Sequence, residues 1–102
     1  VIDVMADAFR DYPVMHFVIG PEGDVTGRFR RVVELFVTRR HRRGGPLLGV
    51  REAASGQLVG AAALTLPAEP PPPPDLAAWV DGVWAELGLD AFARYQQYAS
   101  IW

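Results

Sequence analysis

Seven of the ten arginines fall within 28–43: Arg28, Arg30, Arg31, Arg39, Arg40, Arg42 and Arg43, opposed locally by Glu34 alone. Clustered guanidinium is the chemistry that grips phosphate and carboxylate. At a local net charge of +6, this stretch is the first place to look for an anionic partner such as nucleic acid. The same cluster has a plainer use, because Arg39, Arg40, Arg42 and Arg43 stand at the end of a helical pattern, where positive charge complements the helix dipole. No aromatic residues interleave to stack bases, and residues 1–27 and 44–102 each sum to −4. Nucleic acid is therefore not expected as the partner, and an arginine-rich module binding an anion through 28–43 stands as the alternative reading.

A second string, Gln57-Leu58-Val59-Gly60-Ala61-Ala62, spells Q-x-x-G-x-A, the pattern of a loop that holds pyrophosphate on its backbone N–H groups. Such a cradle needs a turn followed by a long helix whose N-terminus faces the anion. Here the string opens a β-leaning run that stops at Pro67, so a buried strand is expected instead. His16 and His41 are isolated, Ser55 and Ser100 lack a His or Asp context, and no carboxylate pair stands out. His16 lies in the apolar stretch 14–19, where it reads as a partly buried surface histidine. With no cysteine there is no disulfide or thiolate zinc site. No catalytic residue and no metal ligand are assigned. The prolines at 70–74 lack the flanking arginine of a groove-binding motif and read as a stiff spacer.

The elements that must position these residues follow from periodicity. Ile2, Met5 and Phe9 give i, i+3, i+7 spacing and predict a helix over about 2–10. Tyr12-Pro13 should interrupt it, because the residue before proline is driven out of the helical region, and 14–19 form a second apolar patch. Phe29, Val32, Val33 and Phe36, continued by Val37 and Arg40, predict a helix over about 25–43, closed by Gly44-Gly45-Pro46. Residues 47–52 and 58–66 read as two strands of a hairpin. The second is nearly all apolar, so both its faces should be covered, which two strands alone do not achieve. Asp75 should cap a helix over 75–87, with Leu76, Val80, Val83, Trp84 and Leu87 on one face. Asp90 should cap another over 90–102, with Phe92, Tyr95, Ala99 and Trp102 on one face, and across the two helices Trp79, Trp84, Tyr95, Tyr98 and Trp102 read as core stripe rather than binding box. The fold class is α+β, helices packed on a β-hairpin.

At 102 residues, half of them apolar and with a net charge of −2, the chain reads as one soluble domain. The apolar run 61–64 is far too short for a membrane span, so no membrane partner is expected and a cytoplasmic location is the default. Val1 already lies in an amphipathic pattern and Trp102 lies on the apolar face of another. The expectation is a piece of a longer polypeptide, 1–102 forming a single partial domain with 67–74 as an internal connection.

The order of these elements resembles a known family. A helix ending Ala8-Phe9-Arg10-Asp11-Tyr12-Pro13-Val14, a loop with Gly20-Pro21, an arginine-flanked helix, and a hairpin from Gly49-Val50-Arg51-Glu52 to Leu58-Val59-Gly60-Ala61-Ala62 precede a proline-rich exit. Together they resemble the N-terminal half of a GNAT-type N-acetyltransferase. The resemblance implies a partial GNAT-like fold and transfer of acetyl from acetyl-CoA to a small-molecule amine, by direct attack once a base has taken the amine proton. It also implies that the pyrophosphate loop and catalytic residues lie beyond Trp102. The chain alone would then be inactive, hold acetyl-CoA poorly, and tend to pair its sheet edges with another copy. On the acceptor side the resemblance points to Asp11, Tyr12, Pro13 and Phe17.

Overall fold

The computed structural model describes residues 1–21, 23–68 and 70–101. The order of elements is α1 (Ile2–Ala8), α2 (Pro13–Ile19), α3 (Val25–Arg42), β1 (Leu47–Arg51), β2 (Leu58–Ala63), α4 (Leu76–Leu87) and α5 (Leu89–Ala99). This is an α+β arrangement of five helices with a two-stranded antiparallel hairpin.

Proline chemistry explains the first turn. Tyr12 is extended, at φ −72° and ψ 117°, as a residue before proline must be. The ring that stops α1 also starts α2, because a proline at the first helical position loses only an N–H that would be orphaned there anyway. Stretch 14–19 is therefore a helix, which the apolar-patch reading missed, and it buries Val18 and Ile19. Asp24 then caps α3, its carboxylate accepting from the Gly27 N–H at 3.0 Å.

The last turn of α3 closes on Gly44, at φ +86°, and on Gly45, whose N–H donates to the Arg40 carbonyl at 2.9 Å. Gly45 is required for space. A Cβ there would overlap the Leu64 carbonyl oxygen and lie 2.8 Å from the Arg40 carbonyl.

Helix α3 is the centre of the packing, touching α1, α2, α4 and β2, while α5 closes against α2 and α4. The core comprises Val18, Ile19, Phe29, Val32, Val33, Leu35, Val37, Leu76, Val83, Trp84, Leu87 and Ala91, every one of them on a helix. Trp84 stacks on Tyr95, with ring centroids 4.8 Å apart.

The hairpin is different. β1 pairs with β2 from Leu47↔Ala63 to Arg51↔Leu58, with an irregularity at Val50/Arg51, and β2 rests on α1 and α3. Neither strand contributes a buried residue, and Leu48, Val50 and Val59 are more than half exposed. The cover expected on both faces of β2 is not supplied by the described residues.

Several expected boundaries shift for local reasons. The second strand stops at Ala63 rather than 66, since residues 64–66 leave the ladder before Pro67, and α1 stops at Ala8 rather than 10. Asp75 precedes α4 without capping it, its carboxylate being taken by Arg42 at 2.6 Å. Asp90 is inside the first turn of α5, because Gly88, at φ +103°, breaks the chain and takes the cap position. Helix α5 ends at Ala99, and Trp102, placed on its apolar face by periodicity, lies outside the described residues.

Candidate functional site

Residues Val33, Phe36, Val37 and Arg40 stand at i, i+3, i+4 and i+7 on one face of α3. They form one wall of a cleft of about 280 Å³. Met5 and Phe9 face them from α1 and its C-cap, Tyr12 and Met15 close one side, and Ala63 at the end of β2 closes the other. The Phe9 and Tyr12 rings meet at 5.8 Å, tilted by 53°. The lining is apolar except for the Tyr12 phenol and the Arg40 guanidinium, and no His, Asp or Glu lines it. Among the lining residues there is no side chain suited to taking a proton at neutral pH.

The four acceptor-side residues separate. Tyr12, 43% exposed, lines this cleft. Pro13 and Phe17, four apart on α2, share a different groove with Gln97, Tyr98 and Ile101 beside α5. Asp11 is exposed on the turn between them. The helix started by Pro13 turns positions 13 and 17 to one side and leaves Tyr12, still outside the helix, on the other. Phe36 and Arg40 were readable as a continuation of the α3 stripe. Their place in a cleft was not, because it depends on how α1 and β2 close over that face.

His16 lines a separate hollow where the charged Asp3, Asp7, Arg10 and Arg30 ring the apolar Ala6, Val25 and Phe29. Its ring stacks on Phe29, with centroids 6.0 Å apart and planes 16° apart. Its Nε2 is within hydrogen-bond distance of the Arg10 carbonyl, which can only accept, so Nε2 carries the proton there. The ring ties the exit of α1 to α2.

The arginine cluster is divided among several tasks. Arg28 donates to the Ile19 and Leu87 carbonyls, at 2.5 Å each, and so satisfies the C-terminal ends of α2 and α4. Arg94 does the same for Val18, at 3.0 Å. Arg31 pairs with Glu34 and Glu86 and lies over the Trp79 ring at 5.8 Å. Its hydrogen bonds to Glu86 and Glu34 push its pKa above the ordinary arginine value, while Arg31 pulls the Glu86 carboxyl below the usual range. Arg42 does likewise for Asp75. Arg30 pairs with Asp3 at an exposed position. Among the described residues, Arg39 and Arg40 take no carboxylate partner.

The Gln57–Ala62 string offers no phosphate cradle. Leu58 and Gly60–Ala62 are paired in the ladder with β1, and the described residues between Ala63 and Leu76 form no helix. The longer helices are no better placed to receive an anion, since α3, α4 and α5 each open with an aspartate (Asp24, Asp75 and Asp90) at or beside the N-terminus. The residues present therefore do not fit the acetyl-CoA pyrophosphate. Among the described residues no three His, Asp or Glu side chains gather as metal ligands, and no helix is long and apolar enough to cross a membrane. No protein-family model, curated protein or solved structure matches the chain.

Proposed function

We propose that residues 1–102 form the acceptor side of a GNAT-type N-acetyltransferase, which moves acetyl from acetyl-CoA to a small-molecule amine. The observation that supports this most is the hairpin. Among the described residues it pairs with no third strand, and Leu48, Val50 and Val59 stay more than half exposed while β2 rests on α1 and α3, as in a sheet these residues begin and do not complete. The element order, and a cleft bounded by the α1–α2 turn and β2 with Tyr12 at its edge, agree with the same reading. In this reading the acceptor sits in the cleft, and the acyl donor and the base belong to polypeptide outside 1–102.

The competing reading, nucleic-acid binding through 28–43, has less support, because Arg28, Arg30, Arg31 and Arg42 are committed within the fold.

The test is expression of the parent reading frame with its flanks, beside 1–102 alone. Acetyl-CoA binding is followed by calorimetry, and thiol release by a chromogenic thiol reagent with a panel of primary amines. Binding and turnover by the longer polypeptide, with neither from 1–102, is the expected result. A longer polypeptide that does not bind acetyl-CoA overturns the proposal.

A further inference from the structure

Beside the cleft is a second depression of about 200 Å³, lined by Phe36, Arg39, Arg40, Arg43, Thr65 and Tyr95. The two hollows share Phe36 and Arg40, so an apolar chamber and a basic one lie side by side. Helix geometry produces the junction, since Phe36 lies three and four residues before Arg39 and Arg40 and puts all three on one patch.

Arg39 and Arg40 differ from the rest of the cluster. Arg40 donates to the Phe36 carbonyl of its own helix at 3.1 Å, Arg39 makes no side-chain hydrogen bond among the described residues, and neither meets a carboxylate there. Asp81 lines a third hollow on the α4 side of Arg39 and Arg43, but not this one. Compensation of the helix dipole accounts for positive charge at the end of α3. It does not account for two arginines set in a concavity beside an apolar cleft.

We infer that the two hollows form one binding site for a small amphipathic carboxylate. Its apolar chain or ring would fill the space between α1 and α3, and its carboxylate would be held by Arg39 and Arg40. A guanidinium fork matches the two oxygens of a carboxylate, and Thr65 and Tyr95 line the same depression. Nucleic acid fits less well, because a phosphodiester chain has no apolar counterpart for the cleft. The inference uses the same cleft as the acetyltransferase reading but does not rest on it, since carboxylate binding requires no acyl donor and is measured on 1–102 alone.

The experiment titrates the isotope-labelled chain with sodium butyrate, hexanoate, octanoate and inorganic phosphate, following amide shifts by NMR. The expected result is saturable shifts in 33–43 and around Ala63 and Thr65, with affinity rising about fourfold for each methylene added. Arg39→Ala and Arg40→Ala should each weaken octanoate binding about tenfold or more, while Arg30→Ala leaves it unchanged. Ala63→Leu, which fills the cleft from the strand side, should abolish the dependence on chain length. Unshifted resonances elsewhere show that a variant is folded. Equal affinity for phosphate and octanoate would mean diffuse anion binding and overturn the inference. Length-dependent binding that ignores both arginines would mean apolar adhesion, and no binding at millimolar octanoate would mean no site; both also overturn it.

Discussion

Replacing Arg28 by methionine is the most direct test of how the arginine cluster is divided. Methionine keeps an unbranched apolar stem and removes two hydrogen bonds from a charged donor, to the Ile19 and Leu87 carbonyls. A hydrogen bond to a charged group contributes about 1.5–3 kcal/mol. Both acceptors end a helix at a part-buried position, where water replaces some of what is lost, so the lower end applies and the pair sums to about 3 kcal/mol. In a domain of this size that corresponds to a fall in Tm of roughly 12–20 °C. Arg30 is the internal control: its pair with Asp3 has side chains 52% and 80% exposed, and removing such a pair costs about 1 kcal/mol or less. The assay is urea unfolding followed by circular dichroism, comparing midpoints at unchanged slope so that the denatured state is the same in each case. If Arg28→Met and Arg30→Met cost the same, or Arg28→Met costs under about 0.5 kcal/mol, the assignment of Arg28 to the framework is wrong.

Other perturbations test the backbone, the ion pairs and the open sheet. Gly45→Ala should cost about 3 kcal/mol, because its methyl meets two backbone carbonyls that have no room to yield, whereas Gly82→Ala, facing open space within α4, should stabilise by about 0.5–1 kcal/mol; thermal melts of the two variants check the contrast. The Asp75 and Glu86 carboxyls are held below their ordinary pKa by Arg42 and Arg31, so their stabilisation is full above the unfolded carboxylate range and is lost as pH falls through the folded values. The double variant Asp75→Asn, Glu86→Gln should therefore melt below the parent chain at pH 7, with the gap narrowing as pH falls below the ordinary carboxylate range. Sedimentation should show concentration-dependent self-association through the hairpin, abolished by Val50→Lys with Val59→Lys; a parent chain that stays monomeric at all concentrations refutes it.

The helical framework was legible because its signals are local. The stripe from Phe29 to Phe36, Asp24 before it and Gly44-Gly45-Pro46 after it are each decided within a turn or two of chain. The hairpin was legible for the same reason, from two β-leaning runs around a short polar connection. Helix α2 was not, because a proline after an amphipathic stretch reads as a stop. The interruption of one helix and the start of the next use the same fixed φ. The caps failed where a distant partner competed: Asp75 is taken by Arg42, 33 residues away, and no local rule weighs that bond. The cleft was the least legible feature. Tyr12 entered it and Phe17 did not, and the difference is the orientation of a seven-residue helix set by α3 and α5.

The two walls of that cleft are held unequally, which leads to a last prediction. The α3 wall belongs to the core, with Val33 and Val37 at 5% and 4% exposure. The opposite wall is α1, which has two turns, no buried residue and no side-chain cap. It is attached through half-buried Ile2, Met5 and Ala6 and one exposed ion pair. Short helices have little stability of their own, and regions with few buried contacts open before the whole domain unfolds. Amide exchange should accordingly be fast through α1 while α3 remains protected up to global unfolding. A ligand seated against Met5, Phe9 and Tyr12 stabilises the closed form by mass action, so saturating octanoate should slow exchange in α1 and leave α3 nearly unchanged. Protection of α1 equal to that of α3 without ligand would show that the α1 wall is as firmly held as the core, and the reasoning from its burial would fail.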